Sequence, residues 1–440
     1  MLAQFKEHIN VNFPFIKGKK ILIAISGGID SIILTHLFSQ LKFDVTLAHC
    51  NFRLRGKDAD NDEKFVKNLA EQLSVTLYTK SFQTQNYAEK NKLSIQMAAR
   101  KLRYDWFNTV LNENELNYII TAHHLDDNLE TFLINFTRGT GLKGLMGIPE
   151  ISGKIVRPLL SFSRNQIELY ATNNNIVWRE DKSNAETKYV RNKIRHKVIP
   201  LLEEINPSLL TSFKETTEHL QHSQQIIDDA IVEVKANVIS NVERNLIKID
   251  IQKIQKLSNP KAYLYELLKE YGFTEWNDVN NLLKAQSGKQ VFSKTYRLLK
   301  NRDHFLLEPY AAPIKNGYFL INEKNPFLVT EYFSIRLTDS KNQKVKSQNI
   351  VLVDKDKLMF PLRLRKWQKG DYFYPLGMTG KKKLSKFFKD EKLSLIDKEN
   401  SWLLCSNNEI VWVINKRLDD RYKLTNNTKN TLQIEFNRGQ

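Results

Sequence analysis

The sequence predicts a doubly wound α/β domain with a parallel sheet, followed by a helical middle domain and a small, basic α+β domain. Three observations carry that expectation. Early in the chain, short β-branched and apolar runs alternate with segments of helical periodicity. Such continuous strands, separated by helices, require a parallel sheet covered on both faces. After residue 205 the alternation stops and apolar residues recur at three- and four-residue spacing, while the C-terminal part is markedly basic.

Taken in order, Lys20–Ser26 reads as the first strand and Ser31–Leu41 as its helix. Asp44–Cys50 is the second strand, followed by a charged helix near Asp60–Leu73. Val75–Phe82 is the third; Ile95, Ala98, Ala99, Leu102 and Trp106 then share one helical face. Tyr118–Ala122 is the fourth strand, with a helix from Asp127 to about Phe136. Ile155–Leu160 is the fifth, and Arg164–Asn173 forms its helix. From Pro207 to Leu307 the pattern is mainly helical. Residues 312–350 read as a Lys-, Asn- and Ser-rich connector holding strand-like pieces at Tyr318–Ile321 and Phe333–Leu337. Beyond Val351, short apolar stretches such as Trp402–Cys405 and Ile410–Ile414 mark a β-containing block. The expected domains are therefore 1–205, 206–311 and 351–440, with 312–350 joining the last two.

The formal net charge of the 440 residues is +18, which points to a polyanionic partner. Only two cysteines occur, Cys50 and Cys405, too few for a disulfide framework, a CxxC zinc site or a cluster. No apolar stretch approaches the ~20 residues of a membrane span and no signal peptide is visible, so a cytoplasmic location is expected.

Between the first strand and helix stands SGGIDS, Ser26 to Ser31. Adjacent glycines let the backbone turn sharply and approach an anion, and amides at a helix N-terminus face phosphate with the favourable end of the dipole. Ser26 and Ser31 offer hydroxyls. Asp30 makes sense there if a magnesium ion stands between it and the phosphates. The GK[ST] ending of a Walker loop is missing, as is GxGxxG. Past the fourth strand comes AHHLDDNLET, Ala122 to Thr131. Asp126 or Asp127 with Glu130 would lie on one face of a helical turn, beside His123 and His124 at the carboxyl edge of the sheet, where α/β sites gather. They could handle a metal, an amine or a proton; equally, Asp127 to Glu130 fits a capping box.

Further segments add cations. AARKLRY carries Arg100 and Arg103, and RNKIRHKVIPLL carries Arg191 and Arg195 four apart, suited to a backbone phosphate or to an acidic pair. TRGTGLKGLMGIP, Thr137 to Pro149, is glycine-rich enough for a mobile loop. From Pro361 to Gln440 there are 17 Lys and Arg against 9 Asp and Glu. Within that block, LRLRKWQKGDYFYPLGMTGKKKLSKFFKD interleaves Arg363, Arg365, Lys381, Lys382 and Lys383 with aromatics that either stack on bases or fill a small core.

SGGIDS after a first strand resembles the pyrophosphate loop of the N-type ATP pyrophosphatases. AHHLDDNLET resembles the HHxxDQxET stretch of the tRNA(Ile)-lysidine synthetases within that superfamily, with Asn128 where glutamine is usual. HCNFRLRGKDADNDE, RNKIRHKVIPLL, GDYFYPLG with KKLSKFFKD, and IVWVINKRLDDRY resemble further elements of the same family. The resemblance implies a PP-loop ATPase fold, with ATP on Ser26, Gly27, Gly28, Ile29, Asp30 and Ser31 and magnesium at Asp30. It implies catalytic roles for Asp30, His123, Asp126, Asp127 and Glu130, and RNA contacts from Arg100, Arg103, Arg191, Arg195, Arg363, Arg365, Lys381, Lys382 and Lys383. The implied partners are free L-lysine and a CAU-anticodon tRNA(Ile), with no membrane; a homodimer stays open. The implied reaction is ligation of lysine to C2 of the wobble cytidine through an adenylated intermediate, giving lysidine, AMP and pyrophosphate. That product changes the codon read from AUG to AUA. Two other readings remain: a PP-loop tRNA thiolase fed by an external sulfur carrier, and a non-catalytic nucleotide- or RNA-binding module.

Overall fold

Lys20–Ala24 (β1) buries Ile21, Leu22 and Ile23 completely, which a strand achieves only inside a sheet covered on both faces. Its alternation divides two cores. Ile21 and Ile23 join Ile32, Ile33, Leu37 and Phe38 on one side. Leu22 joins Trp106, Phe107, Val110 and Leu111 on the other. The computed structural model of the chain describes residues 1–179, 190–243, 246–310, 317–340 and 347–438. The chain divides into two compact units, Met1–Asp229 and Ala230–Gln440.

In the first unit, β2 (Asp44–Asn51), β3 (Thr76–Ser81), β4 (Tyr118–Ile120), β5 (Ile151–Ser152) and β6 (Ile155–Val156) complete a sheet ordered β3-β2-β1-β4-β6-β5. All pairs are parallel except the β5–β6 hairpin. The doubly wound expectation is thus met. The strand expected at Ile155–Leu160 is shorter, Ile155–Val156, and the Arg157 N–H closes its hairpin with β5 on Glu150 O.

The helices are α1 (Leu2–Asn12), α2 (Ile29–Gln40), α3 (Lys57–Gln72), α4 (Thr84–Asn91), α5 (Ile95–Glu113), α6 (Leu125–Arg138), α7 (Leu142–Leu145) and α8 (Arg164–Asn173). α2 is apolar nearly all round and is correspondingly buried along most of its length. On α5 the expected face is buried at Ala98 and Trp106, but Ile95 is exposed, and Phe107, Val110 and Leu111 extend the core towards the C-terminal end. After residue 189 come α9 (Val190–Lys193), a π-helical turn (Ile194–Val198), α10 (Ile199–Ile205) and α11 (Leu209–Val238).

In the second unit the helices of the middle region, among them Pro260–Leu268 and Trp276–Asn281, accompany a five-stranded antiparallel sheet. Its strands are Ile239–Glu243, Leu246–Asp250, Gln290–Phe292, Tyr296–Asn301 and His304–Pro309. The helical spacing concealed them, since runs of Leu and Ile five or six residues long satisfy either period. The segment 312–350 also needs correction as a connector. Residues 312–316 and 341–346 lie outside the described residues, but Tyr318–Ile321 pairs with Leu362–Lys366, and Phe333–Ser340 pairs with Thr431–Arg438. These strands belong to two antiparallel sheets sharing one core of Phe333, Leu364, Trp402, Leu404, Trp412 and Phe436. No helix among the described residues is long and apolar enough to cross a membrane.

Candidate active site

Strand order places the site. β1 leads back to β2 on one side while β4 lies on the other, so the carboxyl ends of β1 and β4 flank the switch point of the sheet. SGGIDS leaves β1 there, and AHHLDDNLET leaves β4 there.

The SGGIDS loop is braced by its own hydroxyls. Ser31 Oγ donates to Gly28 O at 2.9 Å and accepts the Ser26 N–H at 3.1 Å, and Ser26 Oγ accepts the Gly28 N–H at 3.3 Å. Gly27 has φ +93°, and a Cβ there would meet Val66 and Phe65 at ordinary distances of 3.7 and 3.8 Å. Torsion, and not space, demands glycine. Both oxygens of Asp30, in the first turn of α2, accept from Arg164 Nη1 at 3.0 and 2.8 Å. Burial raises the Asp30 carboxyl above its ordinary value although His124 and Arg164 pull against it.

His124 joins the two motifs. Its Nε2 lies 3.9 Å from Asp30 and 3.5 Å from Asp127, and its Nδ1 lies 3.3 Å from Asp126. Burial opposes a charge on His124, yet Asp126, Asp127 and Asp30 together outweigh it and raise the imidazole. Burial likewise pushes Asp126 and Asp127 up, and His124 leads the groups that hold both below the usual range. The Arg164 N–H donates to Asp126 at 2.8 Å. His123 is different: burial, reinforced by Arg157, Arg191 and Arg100 against the pull of Asp127, lowers it to about 4, and Thr121 Oγ1 lies 3.0 Å from its Nδ1.

The capping box exists, three residues earlier than expected. α6 begins at Leu125 with His124 as its cap, and Asp127 accepts the His124 N–H at 3.2 Å. Glu130 is thereby freed from capping and is fully buried. Arg195 Nε donates to it at 2.5 Å, Arg191 Nε lies 3.1 Å away, and Arg195 Nη2 donates to Asp127 at 3.3 Å. Arg191 in α9 and Arg195 in the π turn Ile194–Val198 thus reach one carboxylate, so the acidic pairing is the one observed. Burial raises Glu130 even against these cations.

Arg100 and Arg103 lie over the rings of Tyr104 (5.2 Å) and Phe52 (5.3 Å). Sequence reasoning missed Arg164 and Arg157, and it named no residue around Asp62. Arg55 and Arg179 clamp Asp62 at 3.0 and 2.5 Å, beside the loop glycine. Arg157 is buried, with Nη1 on Pro149 O at 2.7 Å and its Nε without a partner. Its position directly after a strand end was the available signal. As arranged, the donors do not fit a divalent cation at Asp30, where a guanidinium covers both oxygens. Among the described residues no group of three His, Cys, Asp or Glu is set to hold a metal.

Comparison with known proteins decides the family. A PP-loop domain model matches residues 1–202, a TilS substrate binding domain model 242–310, and a TilS substrate C-terminal domain model 362–435. The tRNA(Ile)-lysidine synthase of Parabacteroides distasonis is 39% identical over 424 residues, covering 95% of each chain. That of Bacteroides thetaiotaomicron is 38% identical, over 97% of this chain and 96% of its own. That of Porphyromonas gingivalis strain W83 is 35% identical, over 92% of this chain and 91% of its own. The chain belongs to the tRNA(Ile)-lysidine synthase family.

In this member of the lysidine synthase family the PP-loop domain makes ATP the cosubstrate. The thiols are poor sulfur carriers: burial pushes Cys50 up to about 12 and Cys405 up to about 11. The basic residues of the C-terminal block differ in availability. Arg365 is spent on a two-pronged pair with Asp371 at 2.8 Å on each arm, and Arg363 lies over Tyr318 at 4.7 Å. Lys382 pairs with Asp390 at 2.8 Å, whereas Lys381 and Lys383 are exposed, Lys381 over Tyr372 at 5.2 Å. Phe373, Phe387 and Phe388 fill a core, and Tyr372 stands out to solvent.

Proposed function

We propose that the chain is an ATP-dependent ligase that joins free L-lysine to C2 of the wobble cytidine (position 34) of a CAU-anticodon tRNA(Ile). The observation that supports it most is the meeting of the SGGIDS loop with the His124 cluster in a chain matched along its length by lysidine synthases. ATP lies with its phosphates on Ser26 to Ser31 at the N-terminus of α2. Cytidine O2 attacks the α-phosphorus, the bond to the β-phosphate oxygen breaks, and pyrophosphate leaves. The lysine ε-amine then adds at C2, and O2 departs with AMP.

An ammonium cannot attack, so the ε-amine must give up a proton first. The guanidinium groups of Arg191 and Arg195 disfavour a further positive charge beside Glu130. Glu130, raised by burial, and neutral His123 are suited to accept the proton, with Asp126 and Asp127 holding the surrounding charge. Magnesium enters on this reading as the counter-ion that ATP carries, and the reaction belongs in the cytoplasm, where ATP, lysine and tRNA meet.

The test is incubation with ATP, labelled lysine and total tRNA. Label in RNA, with AMP and pyrophosphate released in equal amounts, is the expected result. ATP binding without pyrophosphate release would leave a binding module, and sulfur in the RNA a thiolase. Asp30→Ala should remove AMP formation and leave tRNA affinity unchanged.

A further inference from the structure

Helix α3 lies against the SGGIDS loop. A Cβ on Gly27 would meet Val66, Phe65 and Asp62 at 3.7, 3.8 and 4.0 Å. Asp62 and Val66 are four residues apart and so share the helical face turned to the glycine. Val66 is apolar packing, but Asp62 is a buried carboxylate that none of the proposed steps uses. Its two oxygens are held separately: Arg179 Nε donates to Oδ1 at 2.5 Å and Arg55 Nη2 to Oδ2 at 3.0 Å. Buried ion pairs add little net stability over apolar packing, so the question is what this one positions.

Arg179 leads to the loop itself. Its backbone N–H donates to Gly27 O at 3.1 Å. Residues 176–179 follow the end of α8 and belong to no helix or strand, so no ladder aims that N–H. Ile176 and Trp178 rest on the core that holds Ile21 and Ile23, and the grip of Asp62 on Arg179 supplies a further anchor. The effect reaches across one peptide unit. Planarity sends the C=O and N–H of a trans peptide in opposite directions. With Gly27 O turned to Arg179, the Gly28 N–H faces the other way, to Ser26 Oγ at 3.3 Å. Two adjacent glycines resist rotation poorly, so the hydroxyl braces of the loop gain a second support from outside it.

We propose that Asp62 is a positioning residue of the nucleotide site: through Arg179 it fixes the Gly27–Gly28 peptide, so that the loop amides are aimed before a polyphosphate arrives. This role rests on the reading of Ser26 to Ser31 as the ATP loop. Donors already in place cost no rearrangement on binding, and the benefit falls on the phosphates alone. Arg55, on the second oxygen, keeps the carboxylate turned towards Arg179.

The test is calorimetric binding of α,β-methylene-ATP and of adenosine to the full chain, with neither lysine nor tRNA present. Asp62→Ala should weaken α,β-methylene-ATP about tenfold, the worth of one well-aimed donor to a charged oxygen, and leave adenosine within about twofold of wild type. Partial unfolding would lower both apparent affinities by the same factor, so their ratio separates aim from stability. Arg179→Gln should lower the ratio alike, whereas Arg179→Lys, which keeps a cation for Asp62, should hold it within about threefold. Combining Asp62→Ala with Arg179→Gln should lose no more than the larger single loss, because both act through one contact. An unchanged ratio in Asp62→Ala overturns the proposal, as do losses that add in the double variant. If Asp62→Ala does not fold, Arg179→Gln, which leaves Asp62 on Arg55, must lower the ratio by itself. Wild-type protein that binds no α,β-methylene-ATP would overturn the function itself, whereas normal wild-type binding with unshifted variants would sink only the role of Asp62.

Discussion

The amide oxygen of Asn128 accepts the backbone N–H of Ile148 at 2.6 Å, which fastens the glycine-rich segment 137–149 to the second turn of α6. A second amide does the same work one face along, where Asn135 Nδ2 donates to Gly144 O at 2.9 Å. The segment expected to be a mobile loop is tied at two points and contains the short helix α7. Gly147 sits at φ +73°, and a Cβ on it would lie 2.0 Å from the Asn128 oxygen.

Asn128→Ala should therefore destabilise the fold by about 1 kcal/mol, the cost of leaving a half-buried N–H without its partner. Gly147→Ala should cost at least as much, because it adds an unfavourable torsion to a collision. Denaturant midpoints and proteolytic cleavage within 139–149 report both effects. Wild-type midpoints and an uncut segment in both variants would show that the tie carries no weight.

The arginine pair on Glu130 makes a second prediction. Removing Arg195 leaves a fully buried carboxylate with only the more exposed Arg191 beside it, a loss on the order of 3 kcal/mol. The sign with pH follows from burial, which already raises Glu130. A carboxyl raised in the folded state favours folding at low pH, and that contribution fades as pH climbs through the raised value. The deficit of Arg195→Ala should thus be largest at pH 8 and shrink towards pH 5, and Arg195→Ala with Glu130→Gln should recover most of it. A deficit that is flat with pH would mean that Glu130 is not the group left unpaired.

The sheet and its site were legible because its central strands, Lys20–Ala24 and Tyr118–Ile120, are short apolar runs bounded by helical spacing, whereas the two-residue strand Ile151–Ser152 went unread. SGGIDS and AHHLDDNLET lie directly at strand ends, so their roles could be read from position. What escaped was long-range: Arg164 looks like an ordinary helix opening until a sequence separation of 134 positions is folded up and it meets Asp30. The five-stranded sheet of the middle region escaped because Leu-rich stretches such as Tyr296–Asn301 suit a helix as well as a hairpin. The strands at Tyr318–Ile321 and Phe333–Ser340 were visible as strand-like pieces, but polar composition around them hid their place in the C-terminal sheets, where their inward residues bury only when distant partners arrive.

His123 gives a prediction on the acid side. Its imidazole titrates at about 4 against an ordinary 6.5, so the unfolded chain binds its proton first as pH falls. Its share of stability is complete above pH 6.5 and is lost between 6.5 and 4. Full development of that shift is worth about 3 kcal/mol. His123→Gln has no such loss, so wild-type stability minus variant stability should fall across this window. Unfolding curves at pH 7, 5.5 and 4 measure it, and a difference constant with pH would place His123 in a more open setting.

The basic block offers a last prediction, in which neighbouring cations behave oppositely. Lys381 and Lys383 are exposed, so each can meet a tRNA phosphate. Replacing either with Ala should leave thermal stability within about 0.5 kcal/mol of wild type. It should also reduce the slope of log affinity against log salt by about 0.7–0.9, the release associated with one phosphate contact. Arg365 is largely buried against Asp371, whose carboxylate also accepts the Gln368 N–H at 2.7 Å and so closes the turn Gln368–Asp371. Arg365→Ala should cost on the order of 3 kcal/mol and lower tRNA affinity only as the fraction folded drops, with the salt slope of the folded protein unchanged. Salt titrations of tRNA binding, paired with melting curves, separate the two. A stable Arg365→Ala with a reduced slope would put that guanidinium on the RNA, and unchanged slopes for both lysine variants would take the Lys381–Lys383 run off it.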